Sequence, residues 1–431
     1  MRHRFRRFLA RRWQAGQTSE ARNLWLPPAL RLRDFALLWI SSLANGLALQ
    51  MLVVAIGWQV YAIHRNPLDL GFVGLAEFVP LPILALPAGQ LADRVERRLV
   101  VAAGLAVQVG IAAVLAVITL AGAHELWPFL SIAVAAGIVS ATTNPAGRSL
   151  MPELVPTELL PGAVALRSVA TQAGIVVGPA LGGVIFAVEP VAVYITAATL
   201  FAVACVMIVA VTARVAVASA TELNWQNLSA GISFIVRTKM LLGATSLDLF
   251  AVLLGDSIAL APVFARTILD VGPVGLGLLR AAPSVGALLA GVLLARRPLQ
   301  TRAGPTLLVV VAVFGATMIV FGLSRSLPLS LAALAVSGFA DMISMNIRST
   351  TVLLVTPPAL QGRVSAVEWV FISASNELGA FEAGAVARLF GTVTAVVAGG
   401  AAMIGLAGSW PRLFPDLSRM GRLDELEAEP V

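Results

Sequence analysis

Apolar positions in this chain fall in long, nearly unbroken runs, not in strand alternation or heptads. About twelve such runs lie near 35–63, 69–91, 99–121, 127–147, 161–187, 191–213, 241–265, 272–295, 305–324, 328–350, 364–387 and 392–410. Each is roughly twenty residues or more, enough for a helix to cross the hydrocarbon core of a bilayer. Internal prolines such as Pro80, Pro82 and Pro87 fit that reading, because membrane helices tolerate them. The pattern predicts an all-α integral membrane protein in five parts. These are an arm (1–34), six spans (35–213), a connection (214–240), six more spans (241–410) and a tail (411–431).

Composition sharpens the picture. Of 431 residues, 58% are hydrophobic and 12% charged, whereas soluble domains carry about 25% charged residues. The net charge of +7 comes from arginine, since Lys239 is the only lysine. In a soluble protein this would suggest nucleic acid. Here the arginines sit in the loops, and no nucleic-acid partner is expected. With both termini on one side, 25 Lys/Arg fall on that side and four (Arg65, Arg266, Arg325, Arg388) on the other, while Arg280 lies within a span. The bias predicts that both termini are cytoplasmic in a bacterial inner membrane. Cys205 is alone and His3, His64 and His124 are scattered, so no disulfide framework, metal site or cofactor is expected. The arm reads either as a segment lying on the anionic leaflet or as a disordered tail. The connection, with Trp225, Phe234 and Ile235 among polar residues, reads as an amphipathic helix on the membrane surface. The tail ends in Asp424, Glu425, Glu427 and Glu429 and reads as solvated.

The two sets of six spans repeat each other. Gly71 and Leu75 recur as Gly272 and Leu276 where the second span of each set opens. Leu160, Gly162 and Val164 recur as Leu360, Gly362 and Val364 before the fifth span. Gly178 and Gly183 recur as Gly379 and Gly384 inside it, and Asn144 as Asn346 in the fourth. Offsets of 200 to 202 give one register with small gaps. Parallel repeats of this kind place a transport site near mid-membrane between the halves.

Residues 89–98, which join spans 2 and 3, read Gly-Gln-Leu-Ala-Asp-Arg-Val-Glu-Arg-Arg. Through Gly89, Asp93, Arg94, Arg97 and Arg98 they resemble the signature loop of the major facilitator superfamily. Glu96 stands where that family has glycine, so a turn needing positive φ there would be strained. The resemblance implies a gating role. Asp93 closes a helix C-terminus, where a carboxylate opposes the helix dipole. The start of span 11, near Arg363 and Ser365, would be its partner, with Arg97 or Arg98 completing the cluster. In span 5, Gly174, Gly178, Pro179, Gly182 and Gly183 resemble the superfamily's antiporter motif, although Ala165 stands where its upstream glycine would fall. Small residues four apart also make a groove for a neighbouring helix. Stretches 55–61, 246–255, 277–283 and 375–384 resemble enterobactin-type siderophore exporters and drug:proton antiporters.

Charge inside the bilayer points to sites independently, since it is costly there. Glu77, Asp248, Asp256, Arg280, Asp341, Glu368, Glu377 and Glu382 fall within spans, and spans 3, 6, 9 and 12 hold none. In the superfamily fold those four are the outer helices. Asp248 and Glu368 lie near span ends and suit structural ion pairs. A rise of about 1.5 Å per residue puts Glu77, Asp256 and Arg280 some 21–23 Å from the arginine-rich surface, with Asp341 and Glu377 within one or two turns. Desolvation at that depth favours a protonated carboxyl, and a nearby arginine opposes it. The expected arrangement pairs Asp256 with Arg280 and leaves Glu77 or Glu377 to exchange a proton. Asn45, Gln50, Gln59, Asn144, Asn346 and Asn376 are candidates for cargo contact or for interhelical hydrogen bonds.

Together these features lead to an exporter of small organic molecules, siderophore-like or amphipathic and drug-like. It would work as a monomer by alternating access with protons as the coupling ion. An uncoupled facilitator or importer of the same fold is the alternative. A membrane hydrolase would need a nucleophile–base pair or a metal, which the scattered histidines and single cysteine do not supply. The topology is open to a direct test. In a Cys205→Ser background, a cysteine at Ala220 should react with an impermeant maleimide only in everted vesicles, and one at His124 only in intact cells. Labelling of position 220 from outside would overturn this orientation.

Overall fold

The computed structural model describes residues 27–84, 95–122, 125–212, 225–255, 257–297, 302–358 and 360–422. The arm up to residue 26 and the end of the tail fall outside these, as do Gly89, Asp93, Arg94, His124 and Asp256. The first six helices are α1 (Arg33–His64), α2 (Pro67–Phe78), α3 (Arg97–Leu120), α4 (Trp127–Leu154), α5 (Leu160–Val188) and α6 (Pro190–Val209). After α7 (Trp225–Arg237) come α8 (Lys239–Gly255), α9 (Gly272–Arg296), α10 (Ala303–Leu323), α11 (Leu327–Val355), α12 (Gln361–Phe390), α13 (Thr392–Leu413) and the short α14 (Pro415–Ser418). Among the described residues, eleven helices are long and apolar enough to span a membrane. The expected eleventh span, α12, has 30 residues and falls short only in hydropathy, since Glu368, Glu377 and Glu382 lie on it.

Two expected spans are broken. In span 2 a turn at Val79 interrupts helix running to Leu84; Pro80 and Pro82 lack the N–H groups a regular helix would use. Span 7 is α8 followed by short helical pieces over Ile258–Leu260 and Ala261–Val263 and a π-turn over Phe264–Ile268. Gly255 and Pro262 bracket this break. The left-handed turns joining first to second spans match between halves: Arg65 has φ 50° before α2, and Asp270 has φ 50° before α9. Glu96 takes φ −56°, so the glycine-to-Glu departure brings no strain.

Helices α3, α6, α10 and α13, which carry no interior charge, lie on the outside. They pack within their own half, α3 on α6 and α10 on α13, and expose Val114, Val117, Val206 and Val309. The two halves meet through α5 against α9 and α2 against α12. Both contacts lie at the end bearing the Arg65 and Asp270 turns, called here the arginine-poor end. One apolar core crosses between halves there, joining Tyr61 and Phe186 to Leu276 and Ala387. A second core, around Leu247, Leu307 and Trp410, belongs to the C-terminal half alone. The arrangement is thus closed at the arginine-poor end.

Glycines permit these contacts. Along α5, Gly174, Gly178 and Gly182 seat α1: a methyl group on Gly174 would stand 2.9 Å from the Gly46 carbonyl carbon, and one on Gly182 2.9 Å from the Cα of Met51. Gly183, on the next face, meets Gly277 of α9, 3.1 Å from its Cα on the same measure. The repeat holds in three dimensions. Gly379 faces Leu253 of α8 as Gly178 faces α1, and Gly384 faces Pro67 and Gly71 of α2 as Gly183 faces α9.

The connection differs from expectation. Helix α7 packs on α12, with Gly231 against the Arg363 carbonyl and Ile235 buried beside Val364 and Val367. The start of α12 offers an apolar groove that satisfies the same apolar face a membrane surface would. Overpacking a tight core costs about 1–3 kcal/mol. Gly182→Val should therefore lower the melting temperature of the detergent-solubilised protein. Gly110→Val on α3, which meets nothing within 4 Å, should leave it unchanged.

Candidate substrate and coupling site

The site is built first by α2 and α12. Gly74 lacks a side chain, so Glu377 of α12 lies against it: a methyl group there would be 2.9 Å from the Glu377 Oε2. Glu77, one turn along α2, is close enough to repel Glu377 electrostatically, and Arg280 of α9 is close enough to attract it. All three are half-buried. One turn toward the arginine-poor end the interface is plugged by Phe72 and Phe381, with ring centroids 5.7 Å apart. Glu382 is half-buried on α12, five residues beyond Glu377. The structure therefore brings together three members of the expected layer, one from the N-terminal half and two from the C-terminal half. Asp256 lies outside the described residues.

Asp341 joins a different group. It is exposed on α11 and lines a cavity in the C-terminal half with Asp248, Ser344, Asn376, Phe314 and Met403. Asp248 forms an ion pair with Arg348, each side chain about one-tenth exposed. Glu368 lies within electrostatic reach of both. Arg348 is a correction: counted among loop arginines, it is buried inside α11, two turns before the helix ends. Its signal in the sequence was the span-end carboxylates Asp248 and Glu368, which had no arginine assigned to them.

The loop arginines are placed too. Arg97 pairs with Glu153 at the end of α4, and Arg98 donates to the Val211 carbonyl beyond α6. Neither partner was foreseen. Asp34 of α1 accepts from the Thr212 N–H and hydroxyl at 3.2 Å, tying the same corner together.

The amides divide. Gln59 is structural: its Nε2 donates to the Thr119 hydroxyl at 3.0 Å and its Oε1 accepts from Tyr194. Asn45, Asn144 and Asn346 make no side-chain hydrogen bond among the described residues, and Asn144 is exposed. At the closed end, the Tyr61 and Thr267 hydroxyls are 2.9 Å apart and Arg266 lies 4.9 Å from the centre of the Trp58 ring. These contacts join α1 to the broken end of span 7. No sequence feature marks them, because each links one half to the other. Among the described residues, no group of three His, Cys, Asp or Glu is placed to hold a metal ion.

Two six-helix halves, broken spans and charges gathered between the halves define a multi-pass membrane protein of the major facilitator fold. More closely, the chain belongs to the transmembrane secretion effector family, whose model matches residues 25–424. It is 26% identical over 267 residues to an uncharacterized MFS-type transporter, YfiS, of Bacillus subtilis (strain 168), covering 60% of this chain and 62% of that one. It is 27% identical over 136 residues to the staphyloferrin A transporter of Staphylococcus aureus (strain NCTC 8325 / PS 47), covering 31% and 34%. The chain thus spans less than two-thirds of the length of these curated relatives. Among solved structures, a bacterial homolog of the human lysosomal transporter Spinster aligns with a TM-score of 0.72 at 14% identity, over 90% of this chain and 97% of that one. A bacterial homologue of the iron transporter ferroportin aligns at 0.68 and 18%, over 90% and 99%. At these identities the likeness is one of fold.

Breaking a buried ion pair costs about 3–5 kcal/mol, because the partner's charge is stranded. Arg348→Met, which leaves Asp248 and Glu368 together, should destabilise the protein by that amount. Adding Asp248→Leu should recover part of the loss. Thermal unfolding of both variants in detergent checks this.

Proposed function

We propose that this protein is a secondary active exporter of small organic molecules, siderophore-like or amphipathic and drug-like, driven by proton antiport. The observation carrying this reading is the approach of Glu77 and Glu377 from opposite halves, beside Arg280. Two carboxylates facing each other in a desolvated layer repel when both are ionised. Closing the α2–α12 contact therefore favours taking up a proton, and opening it favours release. That links proton occupancy to which end is closed, the requirement for coupling by alternating access.

The α5 motif supports the same reading. Gly174, Gly178 and Gly182 hold α1, while Gly183 meets the other half, so one helix carries both the packing of its half and the contact that must part. By resemblance the motif marks exporters. The arginine bias places the arginine-rich end in the cytoplasm of a bacterial inner membrane, with both termini on that side. Asn45, Asn144 and Asn346 are the uncommitted amides for cargo, and Asp93 remains the proposed gate at the cytoplasmic end.

Everted vesicles test this. A proton gradient, acid inside, should drive cargo uptake in the wild type. Glu77→Gln and Glu377→Gln should each cut that uptake at least tenfold and abolish cargo-induced proton release, with expression retained. Unchanged uptake and release in both variants would favour the uncoupled facilitator.

A further inference from the structure

Helix α7 has a second apolar edge that α12 does not cover. Gly231 and Ile235, four residues apart, form the edge that meets α12. Ile232 and Val236 each follow by one residue, about 100° further round the helix, and are 40% and 55% exposed. With 13 residues, α7 is only about 20 Å long, too short to cross a bilayer. It leads through Thr238 directly into α8, so it lies at the arginine-rich end, where a membrane span begins.

Three cations gather at the same junction. Arg237 ends α7, Lys239 opens α8, and Arg363 stands in the first turn of α12 with its carbonyl against Gly231. Arg237 and Lys239 are exposed and Arg363 is half-buried. None of the three makes an ion pair among the described residues. The corresponding arginines of the N-terminal half are committed: Arg97 pairs with Glu153, and Arg98 lies 3.3 Å from Glu96. Unpaired cations beside exposed apolar side chains, at the mouth of a span, match the two parts of an anionic phospholipid, its phosphate and its acyl chains. From this we infer that α7 is a binding surface for anionic phospholipid. Ile232 and Val236 enter the acyl region, and Arg237, Lys239 and Arg363 hold the phosphates. The connection between the halves is then pinned twice, to α12 by one edge and to the leaflet by the next. The acidic stretch 424–429 of this chain also matches the cations, but it offers only Leu426 and Ala428 to the apolar edge. Neither cargo nor proton coupling enters into this role.

Quenching from the lipid and from the water tests it. In full-length Cys205→Ser protein, Val236→Cys carries an NBD fluorophore, and Ser233→Cys provides the comparison on the side of α7 opposite its buried edge. The protein is placed in phosphatidylcholine nanodiscs that hold a small fraction of either phosphatidylglycerol or phosphatidylcholine bearing a nitroxide on the acyl chain. At equal content the nitroxide phosphatidylglycerol should quench the Val236 label at least about twofold more strongly, since each basic residue near an anionic surface contributes about 1 kcal/mol. Aqueous dithionite should bleach the Val236 label at least about fivefold more slowly than the Ser233 label, because an apolar edge in the leaflet is shielded from water. Arg237→Gln combined with Lys239→Gln should remove the headgroup preference. If that variant does not fold, salt at about 1 M, which shortens the Debye length to about 3 Å, provides the same reading in the labelled parent. Equal quenching by the two lipids would overturn the inference. So would bleaching of both labels at one rate, which would put the edge in water. Protection from dithionite that disappears when the chain is ended after Arg422 would overturn it as well, and would assign the edge to the acidic tail.

Discussion

The close approach of bare backbones where the halves meet governs this molecule. Lipid is as apolar as leucine, so helices in a membrane gain little from burying leucine against leucine. Packing at short range must supply the association instead. Gly183 against Gly277, and Gly384 against Pro67 and Gly71, provide that packing. Because these contacts involve backbone and few side chains, they hold the halves together without fixing many rotamers. A contact built this way is able to part and re-form, as a transporter needs.

The same closeness decides where charge can go. Gly74 leaves room for Glu377 to reach the interface, which brings it to Glu77 and Arg280. Among the described residues, the fully buried charges elsewhere have partners: Arg348 with Asp248, and Asp69 with His64 at 2.8 Å and with the Asn66 amide at 3.1 Å. Buried ion pairs return little net stability, but their geometry is demanding. Here they fix the relative positions of α8 and α11 and set the turn from α1 into α2. The interface carboxylates are of another kind, since they face each other across the contact between the halves.

Duplication explains the economy of the design. Gly178 and Gly379 perform one task in the two halves, seating the first helix of each, while Gly183 and Gly384 perform another, meeting the opposite half. The halves have diverged in charge. The C-terminal half holds Asp248, Asp341, Arg348 and Glu368, whereas the N-terminal half contributes Glu77 to the interface. The broken span 7 has no counterpart in α1, which runs unbroken for 32 residues.

Much of this was legible in the chain itself. Runs of apolar residues have one outcome in a bilayer, because unpaired backbone groups there are costly and helices satisfy them locally. Span number, the internal repeat and the charge-free outer helices follow from periodicity and composition. So does the layer of Glu77, Arg280 and Glu377, since depth along a helix is a matter of counting residues. What the chain could not reveal was which faces meet. The pairing of Arg348 with Asp248, the docking of α7 on α12 and the contact of Arg266 with Trp58 all join residues at least 100 positions apart. Rotation of a helix about its axis is set by its neighbours, and no local signal encodes it. Sequence therefore determined which residues lie at each depth, and tertiary packing alone decided which of them touch.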